Sequence, residues 1–77
     1  MALTIEMHDP AGTILQEIAD GYPQRSVALT YAFCIAQGHK DFAGINAAIR
    51  KRWKGKSALE RVKKMAWKQI DVWWGKA

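Results

Sequence analysis

From Val27 to Ala36 a single residue, Thr30, interrupts a run of Val, Ala, Leu, Tyr, Ala, Phe, Cys, Ile and Ala. A helix that is apolar nearly all round is buried on several sides, so the rest of the chain is expected to wrap around it. Pro23 suits a first helical turn and Gly38 a left-handed stop, which predicts a helix over about 23–37 at the centre of a bundle. With 77 residues in all, the chain has room for one domain, 1–77, and one core that must be used efficiently.

Three further helices are predicted around it. Asp9 as cap and Pro10 at the first position open a helix over about 10–20, with Thr13 and Gln16 offering a later start. Ile14, Leu15, Ile18 and Ala19 form its apolar face, Gly21 stops it, and Glu17 and Asp20 are expected in solvent. Phe42, Ile45, Ile49 and Trp53 then recur at helical spacing over about 41–53, with Asp41 as cap. Gly44 is expected to permit close packing on the second helix. Ser57 with Glu60 reads as a capping box opening a helix over about 57–74, whose stripe is Leu59, Val62, Ala66, Ile70 and Trp73. Residues 1–8 alternate loosely and are expected to form an extended N-terminal arm, its Leu3, Ile5 and Met7 strapped over the body. The expectation is an all-α, compact bundle of four short helices with that arm.

Several function classes are disfavoured. The lone cysteine, Cys34, cannot form an internal disulfide, and the disulfide-rich secreted scaffolds are excluded. No apolar run approaches the roughly 18–20 residues of a membrane span. The opening Met-Ala-Leu-Thr-Ile-Glu has no basic n-region, so no signal peptide is expected and a cytoplasmic location is. Cys34 lies in the apolar run, and His39, five positions on, falls about 140° around a helix from it; the thiol reads as a small core hydrophobe rather than a nucleophile. His8, His39 and Cys34 lack metal-ligand spacing, and Lys54-Gly55-Lys56-Ser57 lacks the glycines and strand of a phosphate loop. We expect no metal, no cofactor and no enzymatic activity.

Charge carries the functional signal. Residues 1–38 hold a net −3 and residues 39–77 a net +8. Arg50, Lys51, Arg52, Lys54 and Lys56 crowd the end of the third helix and the following turn, and Arg61, Lys64 and Lys68 recur along the fourth at helical spacing. These eight residues are the expected nucleic-acid contacts, tracking phosphates without reading sequence, with backbone N–H groups near Ser57 adding to the anion site. The plainer reading is a solvated basic surface that complements the third helix's dipole. Trp53 interrupts the cluster as a stacking residue would, but it continues the apolar stripe and reads as core. A helix-turn-helix is disfavoured, because Glu17 and Asp20 occupy positions that motif reserves for small and apolar residues. The would-be recognition helix is moreover the least charged in the chain. The rival reading is a protein-interaction module anchored by exposed Tyr22, Trp67 or Trp74 within a basic rim, binding a host or phage protein. The basic, tryptophan-bearing fourth helix also suits an anionic membrane surface, and a homodimer through the tryptophan-rich end is a third possibility.

Tyr31-Ala32-Phe33, Asp41-Phe42-Ala43-Gly44-Ile45-Asn46-Ala47-Ala48-Ile49, Arg52-Trp53, Ser57-Ala58-Leu59-Glu60-Arg61-Val62-Lys63 and Ala66-Trp67 together resemble a pattern of short proteins encoded by tailed phages and prophages. The resemblance spans roughly the C-terminal 45 residues and departs at Phe42, where such proteins tend to carry Trp, and at Lys54-Gly55-Lys56. It implies a bacterial-cytoplasm setting and an accessory role during infection or lysogeny, and it brings no functional residue with it.

Overall fold

The computed structural model describes residues 8–75, the Lys56 side chain excepted. Among these residues four helices form and no strand does: α1 (Pro10–Ala19), α2 (Gln24–Ala36), α3 (Ala43–Arg52) and α4 (Lys56–Trp73). The expected arm, apart from His8, lies outside the described residues.

Local chemistry sets the ends. Asp9 adopts a left-handed φ of 50° and accepts the Gly12 N–H at 3.2 Å. A Cβ on Gly12 would overlap that carboxylate, so the glycine is what lets Asp9 cap the helix. At the far end Gly21 (φ 80°) turns the chain, its N–H donating to Ile18 and that of Tyr22 to Glu17. Gly38 closes α2 in the same manner, with bonds to Ile35 and from His39 to Cys34. Both are Schellman closures, which require the positive φ that glycine adopts at little cost.

The expected caps of α3 and α4 need correction. Phe42, not Asp41, is the N-cap of α3; the Asp41 carboxylate accepts the Ala43 N–H at 3.2 Å from one residue further out. Ser57 and Glu60 form no capping box. Gly55, at φ 135°, is the N-cap, so α4 starts at Lys56, and the Ser57 hydroxyl accepts from Arg61 at 2.9 Å instead. Likewise Thr13 and Gln16 do not start α1, and the Gln16 amide donates to Asp20 at 2.9 Å.

Two helical hairpins, α1–α2 and α3–α4, dock side by side, with α1 on α3 and α2 on α4. Gln24 meets Arg61, Ala28 lies by Met65, and the Phe33 and Trp73 rings stand 4.8 Å apart. Contacts that advance together along both helices mean that α2 and α4 run in the same direction. The 20–23 and 53–55 turns therefore share one end of the bundle, and the 37–42 loop lies at the other.

The core is Ile14 and Ile18 of α1, Val27, Ala28, Tyr31, Ala32 and Cys34 of α2, Ile45 and Ile49 of α3, and Leu59, Val62 and Ala66 of α4. Fully burying an Ile or Val side chain such as Ile14, Val27, Ile49 or Val62 contributes about 1.5–3 kcal/mol relative to exposure. Phe42, Trp53, Ile70 and Trp73 pack partly buried against this core, as their spacing predicts. Leu15 (44% exposed) and Ala19 leave the expected face of α1, and Leu29 (42%) leaves that of α2. α2 carries the most buried side chains, yet it flanks only α1 and α4. It reaches α3 through Tyr31, whose hydroxyl donates to Asn46 at 2.9 Å and whose ring stacks on Phe42 at 4.9 Å. Gly44 is exposed, with nothing within 4 Å of an added Cβ, so it mediates no close packing on α2. Glu17 is half-buried rather than solvated, accepting from the buried Thr30 hydroxyl at 2.6 Å and tying α1 to α2.

Candidate nucleic-acid interface

The turn end of the bundle is built from the last turn of α3, the first turns of α2 and α4, and the two hairpin turns. Arg50, Lys51 and Arg52 form the last turn of α3, where positive charge complements the helix dipole. All three are exposed, as is Lys54 in the following turn. Lys56 is the first residue of α4, and its side chain lies outside those described. Arg61, Lys64 and Lys68 are exposed along α4. Arg61 belongs to the turn end through Gln24, while Lys68 stands about 10 Å further along the axis.

The cations share an end, but they fan around it. Arg50 borders an open cleft with Gly55, Leu59 and Glu60 between α3 and α4. Lys51 and Arg52 line the α1–α3 groove beside Leu15 and Ala48, and the Arg52 guanidinium reaches within 3.7 Å of where a Cβ on Gly21 would stand. Lys68 borders the α2–α4 groove with Arg25. The position of Arg25 at the start of α2 gives no hint in the sequence that a parallel α4 brings Lys68 beside it.

Their charges stay available. Among the described residues no basic side chain forms an ion pair. Arg61 instead donates to two neutral oxygens, Gln24 Oε1 at 3.2 Å and Ser57 Oγ at 2.9 Å, which hold the guanidinium in place without cancelling it. Arg52 lies 5.2 Å from the centroid of the Trp53 ring. That indole packs half-buried against the core and carries Arg52 on its face, a cation–π contact. Neither α2 nor α4 has a side-chain cap on its N-terminal N–H groups, because Pro23 and Gly55 occupy the capping positions. Two parallel helices thus direct the positive ends of their dipoles towards the same basic end.

Cys34 and Tyr31 belong to the core. Cys34 is fully buried, and burial, reinforced by the negative charges of Asp9 and Glu17, pushes its thiol up to about 11. Such a thiol is not a nucleophile near neutral pH. Burial likewise raises the Tyr31 hydroxyl against the opposing pull of Asn46. Among the described residues no three His, Cys, Asp or Glu side chains gather as metal ligands, and no helix is long and apolar enough to cross a membrane. Tyr22, Trp67 and Trp74 are exposed at 45%, 52% and 39%. Tyr22 lies in the α1–α2 turn, while Trp67 and Trp74 share a flank of α4 away from Arg61 and Lys68.

The fold defines an all-α bundle of two docked hairpins. No protein-family model, curated protein sequence or solved structure matches the chain.

Proposed function

We propose that this chain is a small non-enzymatic accessory protein that binds the phosphate backbone of nucleic acid through its turn end, without sequence readout. The carrying observation is that Arg50, Lys51, Arg52, Lys54 and Arg61 gather at that end with no carboxylate paired to them among the described residues. Lys56 adds charge to the same turn in sequence, and Lys68 extends the surface along α4, with Lys64 at its margin beside the Trp67 flank. Side-chain cations supply the electrostatic affinity; uncapped N–H groups at the starts of α2 and α4 suit individual phosphate oxygens. Cations that fan round an end suit a flexible or bent strand better than one straight groove, and phosphate contacts position a protein without specifying sequence. The resemblance to phage and prophage proteins supports a bacterial-cytoplasm setting.

Fluorescence anisotropy with labelled duplex and single-stranded DNA tests this reading. Affinity is expected to fall by about a hundredfold or more between 50 and 200 mM salt. Arg50→Ala/Arg52→Ala is expected to weaken binding to all sequences alike and to lower the salt slope by roughly 2. Absence of binding to either form at 50 mM salt would falsify the proposal. A second reading, a module for a host or phage protein, rests on the exposure of Tyr22, Trp67 and Trp74. Retention of a stoichiometric partner from nuclease-treated bacterial lysate, lost in Tyr22→Ala, distinguishes it.

A further inference from the structure

The flank of α4 that bears Trp67 and Trp74 leaves both indoles in solvent, 52% and 39% exposed. Seven residues apart, they lie within about 20° of each other round the helix and about 10 Å apart along it, forming one ridge. Exposed indoles in register are the side chains that most often anchor interfaces. The charges beside this ridge differ from those elsewhere on the helix. Glu60 and Asp71, the two acids of α4, both border it, together with Lys63 and Lys64. The flank is therefore locally neutral, whereas the flank of Arg61 and Lys68 is wholly cationic.

Lys64 and Asp71 are also seven residues apart, and they stand on the same edge of the ridge with Trp67 between them. Both are exposed and form no ion pair among the described residues. Within one helix charges at this spacing do not meet, since neighbours are three or four apart. A second copy of the helix laid antiparallel brings like edges together. Lys64 of each copy then stands opposite Asp71 of the other, Trp67 sits beside the twofold axis, and Trp74 extends the contact at both ends. The same orientation sends the two cationic turn ends to opposite poles and keeps like charges apart; a parallel pairing would bring them together. We propose that this chain forms a twofold homodimer through the Trp67–Trp74 flank, with the two α4 helices antiparallel. The dimer does not depend on the nucleic-acid reading.

Sedimentation equilibrium on the full chain, free of nucleic acid and at about 0.15 M salt, tests this over a concentration series reaching about 1 mM. A reversible monomer–dimer equilibrium is expected. Trp67→Ala should raise the dissociation constant about thirtyfold or more, the size of an interface hot spot. Lys64→Asp should raise it about tenfold or more, and the charge-reversed pair Lys64→Asp/Asp71→Lys should return it to within about threefold of the parent, circular dichroism showing each variant folded. A monomer throughout the series overturns the proposal. So does a dimer indifferent to Trp67→Ala, or a reversed pair no tighter than Lys64→Asp alone. A monomer whose tryptophan emission shifts only on anionic vesicles overturns it too and gives the ridge to a lipid surface.

Discussion

The two ends of the bundle solve different problems. At the loop end, Tyr31 stacks on Phe42, His39 stands edge-on to Phe42 at 5.2 Å, and Phe33 leans on Trp73. The His39 ring nitrogen Nε2 also bonds the Asp41 carbonyl oxygen at 2.8 Å, so rings and loop brace one another. The Tyr31–Phe42 and Phe33–Trp73 ring pairs each add about 0.5–1.5 kcal/mol beyond the area they bury. At the turn end the side chains are mostly long cations in solvent; two neutral oxygens hold Arg61, and one indole face carries Arg52. This small domain places ring packing at one end and leaves its charge uncommitted at the other.

The largest test of this contrast sets Phe33→Ala against Arg50→Ala/Arg52→Ala in denaturant melts. The first is expected to cost about 3–5 kcal/mol, the second to stay within about 0.5 kcal/mol per site while changing DNA binding. Comparable losses would break the division. Next comes Gly55→Ala, because a φ of 135° is strained for any residue with a Cβ. It should cost about 1–3 kcal/mol and move the start of α4, read as lost helicity and stability. Tyr31→Phe keeps the ring stack and removes only the hydroxyl that donates to Asn46. A loss of about 0.5–1.5 kcal/mol is expected, and none at all would show that water replaces the bond. The effect silent at neutral pH belongs to Cys34. The folded chain holds its thiol proton up to about 11, whereas the unfolded chain releases it near 9. The contribution to stability is thus complete below pH 9 and is lost as pH rises towards 11, a fall that Cys34→Ala should flatten.

Much of the fold was legible in local pattern. The stripes of α3 and α4 specify their buried faces because helical periodicity leaves one choice of face, and Ile45, Ile49, Leu59, Val62 and Ala66 are buried accordingly. Gly21 and Gly38 end their helices because a positive φ needs a residue without a Cβ. The failures concern competition between neighbours. Ser57 satisfies the composition of a capping box, but Gly55 reaches a conformation that starts the helix earlier, and Arg61 takes the hydroxyl. Leu15 and Leu29 are apolar yet exposed, since a 77-residue domain has too little interior for every apolar side chain. The cations of the candidate interface were countable in the sequence, but their directions were not. Whether Arg50 and Arg52 flank the same groove depends on which helices pack beside α3, a tertiary fact. Arg25 joins Lys68 for the same reason.

The parallel seating of α2 on α4 joins the two hairpins. These helices belong to different hairpins, so much of the core exists only once the N-terminal and C-terminal halves of the chain have met. The 37–42 loop is a tether between those halves, and its contribution to their association is one of effective concentration. Cutting the chain there should yield two fragments, each unstructured or molten alone, that recombine into the native bundle at sufficient concentration: a protein that can be divided and reassembled like a split reporter.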